Sequence, residues 1–206
     1  MISNYAKNVF FSCVQEHLEA RGHELLRRHG GASVKPHIQL DKYAKDAETW
    51  LIYARINYDG ARVLFTHERA LTLCFPAATL GHHALEALIK TALIRAGMTI
   101  FDPAKLKRLD PTASLTETDC AWGHELLALG KLLTSRRPDF DLRKHLNFAA
   151  FPRETPMDIE TGLAVFDPFF WELRYPQQLK ELDGIGPDDV RLLDVLFAEI
   201  MPFARA

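Results

Sequence analysis

The chain is poor in the residues and runs that mark several large functional classes. It has three cysteines, Cys13, Cys74 and Cys120, far apart and without a CxxC pair. That excludes a disulfide framework and a zinc ribbon, and fits free thiols in a reducing compartment. No apolar run is long enough to span a bilayer, and Val9–Val14 is broken by Ser12 and followed by charge, with no signal-peptide cleavage pattern. The expected setting is cytoplasmic, with no membrane partner. β-Branched residues never alternate with polar ones for more than a few positions, so strand signals are scarce. GxSxG, GxxxxGK[ST] and GxGxxG are all missing, which removes the usual nucleophile elbow and nucleotide cradles.

What is present is ordinary for a globular protein: 206 residues, 48% hydrophobic and 25% charged. A single domain of this length buries roughly 70% of its unfolded surface and needs neither disulfide nor metal to fold. The net charge of −2 is uneven. Residues 1–150 carry 20 Lys/Arg against 16 Asp/Glu, whereas residues 151–206 carry 5 against 11. The positive part is too dilute to be a nucleic-acid footprint by itself, and solvated helix faces account for it.

Apolar spacing predicts an all-α bundle of about five to seven helices, with a long irregular connection between residues 138 and 176. One helix is expected from Asn4 to about His29, stopped by Gly30-Gly31. A second runs from Asp41 to about Cys74, with Gly60 as a candidate kink, and Pro76 marks the next start. The third, "ATLGHHALEALIKTALIRAG", puts Leu85, Leu88, Ile89, Ala92 and Leu93 on one stripe. It pairs Glu86 with Lys90 one turn on and ends at Gly97. Asp102–Thr118 reads as a loop. A fourth helix begins near Cys120 and ends at Pro138. Short helical pieces fit Leu142–Ala149 and Met157–Phe166. The last helix starts at Pro187, with Asp188 and Asp189 in its first turn, and runs to Pro202. One domain is expected, with residues 1–40 as an N-terminal extension helix and 41–203 as the bundle.

"GHELL" occurs twice, at Gly22–Leu26 and Gly123–Leu127. A zincin needs His-Glu-x-x-His, because two His one turn apart must face the metal. The fifth position is Arg27 in one copy and Ala128 in the other, so neither is half of a zinc site. The flanks do not match, so the copies are not an internal repeat. His82-His83-x-x-Glu86 has helical spacing, but a carboxylate-bridged di-iron bundle wants Glu-x-x-His pairs on two helices. No metal and no cofactor are expected. "LKELDGIGPDDVRLL" (Leu179–Leu193) has the Gly184/Gly186 spacing of a helix-hairpin-helix phosphate grip. Asp183, Asp188 and Asp189, however, surround the place of the phosphate, so a tight turn before a capped helix is the plainer account.

The order of the motifs says more than any one of them. A Trp-bearing helix, "DAETWLIYARINYDGARVL", is followed by the Glu…Lys helix, then "GHELLALGKLL", then "LRYP" before the C-terminal helix. Over residues 41–203 this series resembles the HEPN family of small helical domains. Glu86 and Lys90 match the family's Glu…Lys helix. Gly123-His124-Glu125-Leu126 matches its Gly-His-Asp-Leu element, and Arg174-Tyr175-Pro176 its Arg-Tyr-Pro element. The resemblance implies a homodimer and a role with nucleotide, RNA or a nucleotidyltransferase-type protein partner. Many HEPN domains are metal-independent ribonucleases with an Arg-x(4–6)-His motif near the fourth helix. Here Arg62-x4-His67 is the only match to that spacing, and it lies on the first family helix, while Arg137 to His145 is too widely spaced.

The candidate catalytic residues are thus His124, Arg174 and His83, and the candidate binding residues Glu86, Lys90, His82 and Tyr175. A non-catalytic binding or interaction module is the first expectation. A toxin-like ribonuclease with a rearranged Arg/His pair is the alternative, and DNA binding through Leu179–Leu193 the lesser one. Each residue also has a plainer role: the histidines as hydrogen-bonded core or rim residues, Glu86–Lys90 as a helix-face ion pair, and Tyr175-Pro176 as an extended helix exit.

Overall fold

The structure, a computed structural model, describes residues 45–101, 119–147, 156–170 and 185–206. All of them belong to one compact unit, Leu40–Ala206. The expected helix from Asn4, the first GHELL, the loop at 102–118, residues 148–155 and 171–176 of the 138–176 connection (Arg174 and Tyr175 among them) and Leu179–Gly184 lie outside the described residues.

The described residues form an all-α bundle of five helices without strands. Helix α1, Ala47–Phe65, opens at Asp46, whose carboxylate accepts from the Thr49 amide (3.1 Å) and hydroxyl (2.7 Å). It runs through Gly60 unbroken but ends at Thr66, not near Cys74. A tight turn at His67–Arg69 intervenes, held by the Ala70 amide on the His67 carbonyl and by the Arg69 amide on His67 Nδ1.

Helix α2, Ala70–Arg95, then passes straight through Pro76, so that proline does not mark a start. It stands in the second turn, where its missing N–H leaves only the Thr72 carbonyl without an intrahelical donor. Gly97 terminates α2 as expected. Its φ of +86° lets the Gly97 amide reach the Ile94 carbonyl and the Met98 amide the Leu93 carbonyl, the double bond of a Schellman end.

Helix α3, Leu126–Arg136, begins six residues later than expected. Cys120 instead forms an isolated bridge with Thr99, and the chain stays extended to Glu125. The Leu126 amide at the start of α3 is satisfied by the Asp167 carboxylate from across the chain. The helix stops at Arg137, as the following Pro138 requires.

Residues 142–147 are not helical: their backbone pairs with the segment entering α4, through the Leu146 amide on the Met157 carbonyl (2.8 Å) and Glu160 on Leu142 (3.0 Å). Helix α4, Ile159–Phe166, is capped by Asp158 and runs into a 3-10 turn at Asp167–Phe170. Helix α5 starts at Asp189 and continues past Pro202 to Arg205.

Helix α2 is the axis of the bundle, touched by α1, α3, α4, α5 and the 3-10 turn. Every residue from Ala84 to Leu93 is buried, so the helix has no solvent face over that stretch. The expected stripe of Leu85, Leu88, Ile89, Ala92 and Leu93 is in the core, and so are the residues between. Opposite α2, Tyr58 fastens α1 to α5 by stacking on Phe197 at 4.0 Å and donating to Asp194 (2.7 Å).

Candidate functional site

Helix α2 carries four neighbouring polar residues in a little over two turns. His82, Glu86 and Lys90 follow one another at intervals of four, and His83 stands three before Glu86. On a helix that spacing gathers all four around Glu86. The expected exposed ion pair is instead interior: Glu86 is 6% and Lys90 2% exposed. The reason is that α2 is covered on every side, so the pair has no surface to face.

A fifth residue comes from the other side. Gly123 has φ +118°, a conformation that an L side chain rarely adopts, and turns the chain between Trp122 and His124. His124 lands on the α2 cluster, its Nδ1 3.0 Å from Glu86 Oε1. Phe170 stacks under its ring at 3.9 Å and 12°. Lys90 Nζ donates to the same Oε1 at 2.5 Å, and its ammonium lies over the Trp50 ring at 5.4 Å. The other carboxylate oxygen, Oε2, faces His82 Nε2 and His83 Nδ1, each 3.6 Å away.

The hydrogen-bond chemistry places a proton on Nδ1 of both His82 and His124. A carbonyl only accepts, so His82 Nδ1, 3.0 Å from the Phe166 carbonyl, carries a proton. His82 is fully buried, and its Nε2 stands 3.6 Å from Glu86 Oε2, longer than a hydrogen bond. Burial pushes the Glu86 carboxyl up, but His82, His83 and the Lys90 ammonium together outweigh it and hold Glu86 far below the ordinary carboxylate range. Glu86 is thus ionised and only accepts, so His124 Nδ1 donates to it. In the neutral ring this leaves the lone pair on Nε2. Burial and the charge of Lys90 lower the His124 pKa, against the opposing pull of Glu86.

His124 lies in the wall of an open cleft of about 390 Å³, lined also by Trp122, Gly123, Glu125 and Ala128. Trp122 is 56% exposed, an unusual position for the largest apolar side chain. Five of the expected site residues, His82, His83, Glu86, Lys90 and His124, therefore converge. Arg62 and His67 do not pair: Arg62 is bound to Asp194 (3.2 Å), and His67 Nδ1 accepts from the Arg69 amide. Across the helix-hairpin-helix pattern, the Gly186 amide that would grip a phosphate is taken by the Asp189 carboxylate at 2.8 Å.

Sequence reasoning missed Phe170, Trp122, Trp50 and Asp167. Trp122 carried a legible signal, a Trp one residue before the Gly-His element. The others are distant in sequence and reach the site only through packing. Among the described residues no group of three or more His, Cys, Asp or Glu could hold a metal ion, and no helix is long and apolar enough to cross a membrane. The chain matches no protein-family model, no curated protein and no solved structure.

Proposed function

We propose that this chain is a HEPN-like helical module that binds a nucleotide or an RNA base in the Trp122–His124 cleft without cleaving it. One observation carries the reading. The His124 ring is fixed from behind by Glu86 and Phe170, and stands beside an exposed Trp122 in the same open cleft. A pre-set polar atom next to an exposed aromatic face is the arrangement by which proteins hold a planar base. The charges at the cleft speak against cleavage. A phosphoryl transition state needs a cation at the developing charge. Lys90 is buried and spent on Glu86, and the cleft's one charged lining residue among those described is Glu125.

The test is Trp fluorescence on titration with nucleosides, nucleotides and short oligoribonucleotides. Stacking is worth about 1–3 kcal/mol per base, so Trp122→Ala should weaken binding roughly 5- to 150-fold. No saturable binding by the wild type, or the same affinity in Trp122→Ala, would overturn the reading.

The carboxylate-held neutral imidazole favours a second reading, a metal-independent ribonuclease with His124 as acid or base. Arg174, its expected cationic partner, lies outside the described residues. Cleavage of varied RNAs in EDTA, lost in His124→Ala and Arg174→Ala, would support it; intact RNA with the wild type rejects it for those substrates.

A further inference from the structure

The His124 ring is committed to Glu86 and Phe170, so selection of a ligand falls to the other residues that line the cleft. These are Trp122, Gly123, Glu125 and Ala128. Gly123 and Ala128 bring no functional group, which leaves Trp122 and Glu125. Both are exposed, and they stand on either side of the Gly123 turn. Glu125 occupies the N-cap position of α3, yet its side chain makes no capping bond. The Leu126 amide is taken instead by Asp167, from the 3-10 turn. Among the described residues Glu125 has no salt bridge either. An acid at this position suits the helix dipole, but the dipole does not call for a tryptophan laid open beside it.

We propose that Glu125 is a specificity-determining residue that selects guanine for the Trp122 face. The inference rests on the reading of the Trp122–His124 cleft as the ligand site, and it names the base that site takes. A carboxylate only accepts, through two oxygens side by side. Guanine alone among the RNA bases presents two adjacent donors on its Watson–Crick edge, N1–H and the N2 amino group, with no acceptor between them. It meets a carboxylate as a fork, with two charge-assisted hydrogen bonds at once. Adenine and cytosine set a ring-nitrogen acceptor next to the amino group, and uracil flanks its N3–H with two carbonyls. Each of these brings a lone pair against Glu125. The same negative charge keeps a phosphate at a distance, so the base is what the cleft holds. An arginine guanidinium is also a planar donor fork, but it is smaller than an indole, whereas a purine covers both indole rings. An open cleft of about 390 Å³ has room for the bicyclic base.

The experiment is calorimetric titration of the full chain with guanosine, inosine, adenosine, cytidine, uridine and arginine amide, repeated on Glu125→Gln. Guanosine should bind tightest. Inosine, which keeps N1–H and lacks the amino group, should bind about tenfold more weakly, the low end for a hydrogen bond to a charged group in a site open to water. Glu125→Gln should lose the guanosine preference by about tenfold or more and leave adenosine, held by stacking on Trp122, unchanged. Equal binding of all the nucleosides overturns the proposal while the cleft reading stands, and so does a guanosine preference that survives in Glu125→Gln. An equal fall for guanosine and adenosine in the variant also overturns it, since Glu125 then supports the cleft without choosing the base. Arginine amide binding more tightly than guanosine would make this a guanidinium site and overturn both. No nucleoside binding at all sinks the cleft reading, and the role of Glu125 with it.

Discussion

Lys90→Met puts the energetics of the buried cluster to its sharpest test. The substitution nearly preserves volume and removes the permanent cation that pairs with Glu86. Removing one partner of a buried ion pair costs about 3–5 kcal/mol, because the other charge is stranded away from water. For a chain of this size that is roughly 6–20 °C in melting temperature. Here the loss should depend on pH, since Glu86 has another group to turn to. His124, 3.0 Å away, can take up a proton and restore a pair.

In the variant the folded-state pKa of His124 is raised, so the stability it contributes is complete below the unfolded imidazole value and is lost as pH rises through the folded one. In the wild type the shift is the opposite, downward. There the unfolded chain binds more protons as pH falls below the imidazole range, so acid costs stability. The two melting curves should converge toward pH 5.5 and separate toward pH 8. The double variant Glu86→Gln/Lys90→Met leaves no stranded charge, and should lie within about 1–2 kcal/mol of wild type at both. Thermal melts followed by circular dichroism decide the matter. A Lys90→Met protein as stable at pH 8 as the double variant would refute the claim that Glu86 is held ionised by Lys90.

Three further outcomes follow from local geometry. Gly162→Ala places a Cβ 2.9 Å from Leu196 Cδ2 and 3.2 Å from Leu146 Cδ1, where α4 meets α5; overpacking of this kind costs about 1–3 kcal/mol, read as an earlier thermal midpoint, and an unchanged melt would mean the helices can part freely. Gly123→Ala meets no atom within 4 Å, so any loss comes from its φ of +118°; about 1–3 kcal/mol of strain is expected, together with weaker ligand binding, and a silent substitution would show that the turn does not set His124. Asp158→Ala removes the cap of α4 and should cost about 1 kcal/mol at neutral pH. The Thr161 hydrogen bonds depress the Asp158 pKa, so the cap's contribution is present above the unfolded aspartate value and fades as pH falls through the folded one; Asp158→Asn should fold with less of that acid dependence.

Local rules carried the fold wherever a residue's own backbone chemistry decided it. Gly97 ends α2 because its conformation strongly favours glycine, and Pro138 ends α3 because of its effect on Arg137. The errors came where distant partners decided. The α1–α2 turn at His67–Arg69 lacks glycine or proline, and is made by backbone and His67 hydrogen bonds that no periodicity reports. Cys120–Glu125 reads as helix, but Thr99 and Asp167 supply bonds that favour an extended entry and a later start. The site divides in the same way. His82, His83, Glu86 and Lys90 were legible as a set because one helix sets their spacing. That they are buried was not, since an i,i+4 Glu…Lys pair is nearly always a surface feature.

The burial of that pair follows from the small residues around it. Ala77, Ala78, Gly81, Ala84, Ala87 and Ala92 line α2, and let α1, α3, α4 and α5 approach its backbone on all sides. A helix so enclosed can carry a charged side chain only if a partner of opposite sign is enclosed with it, and the next turn of the same helix is the nearest place for one. Glu86 and Lys90 meet that demand within α2. It is met without using His124, so this imidazole comes to the cluster from outside and still shares in the cleft. The polar interior and the candidate binding surface are therefore one network. A change made at Lys90, out of reach of any ligand, should be felt at His124, where a ligand would sit.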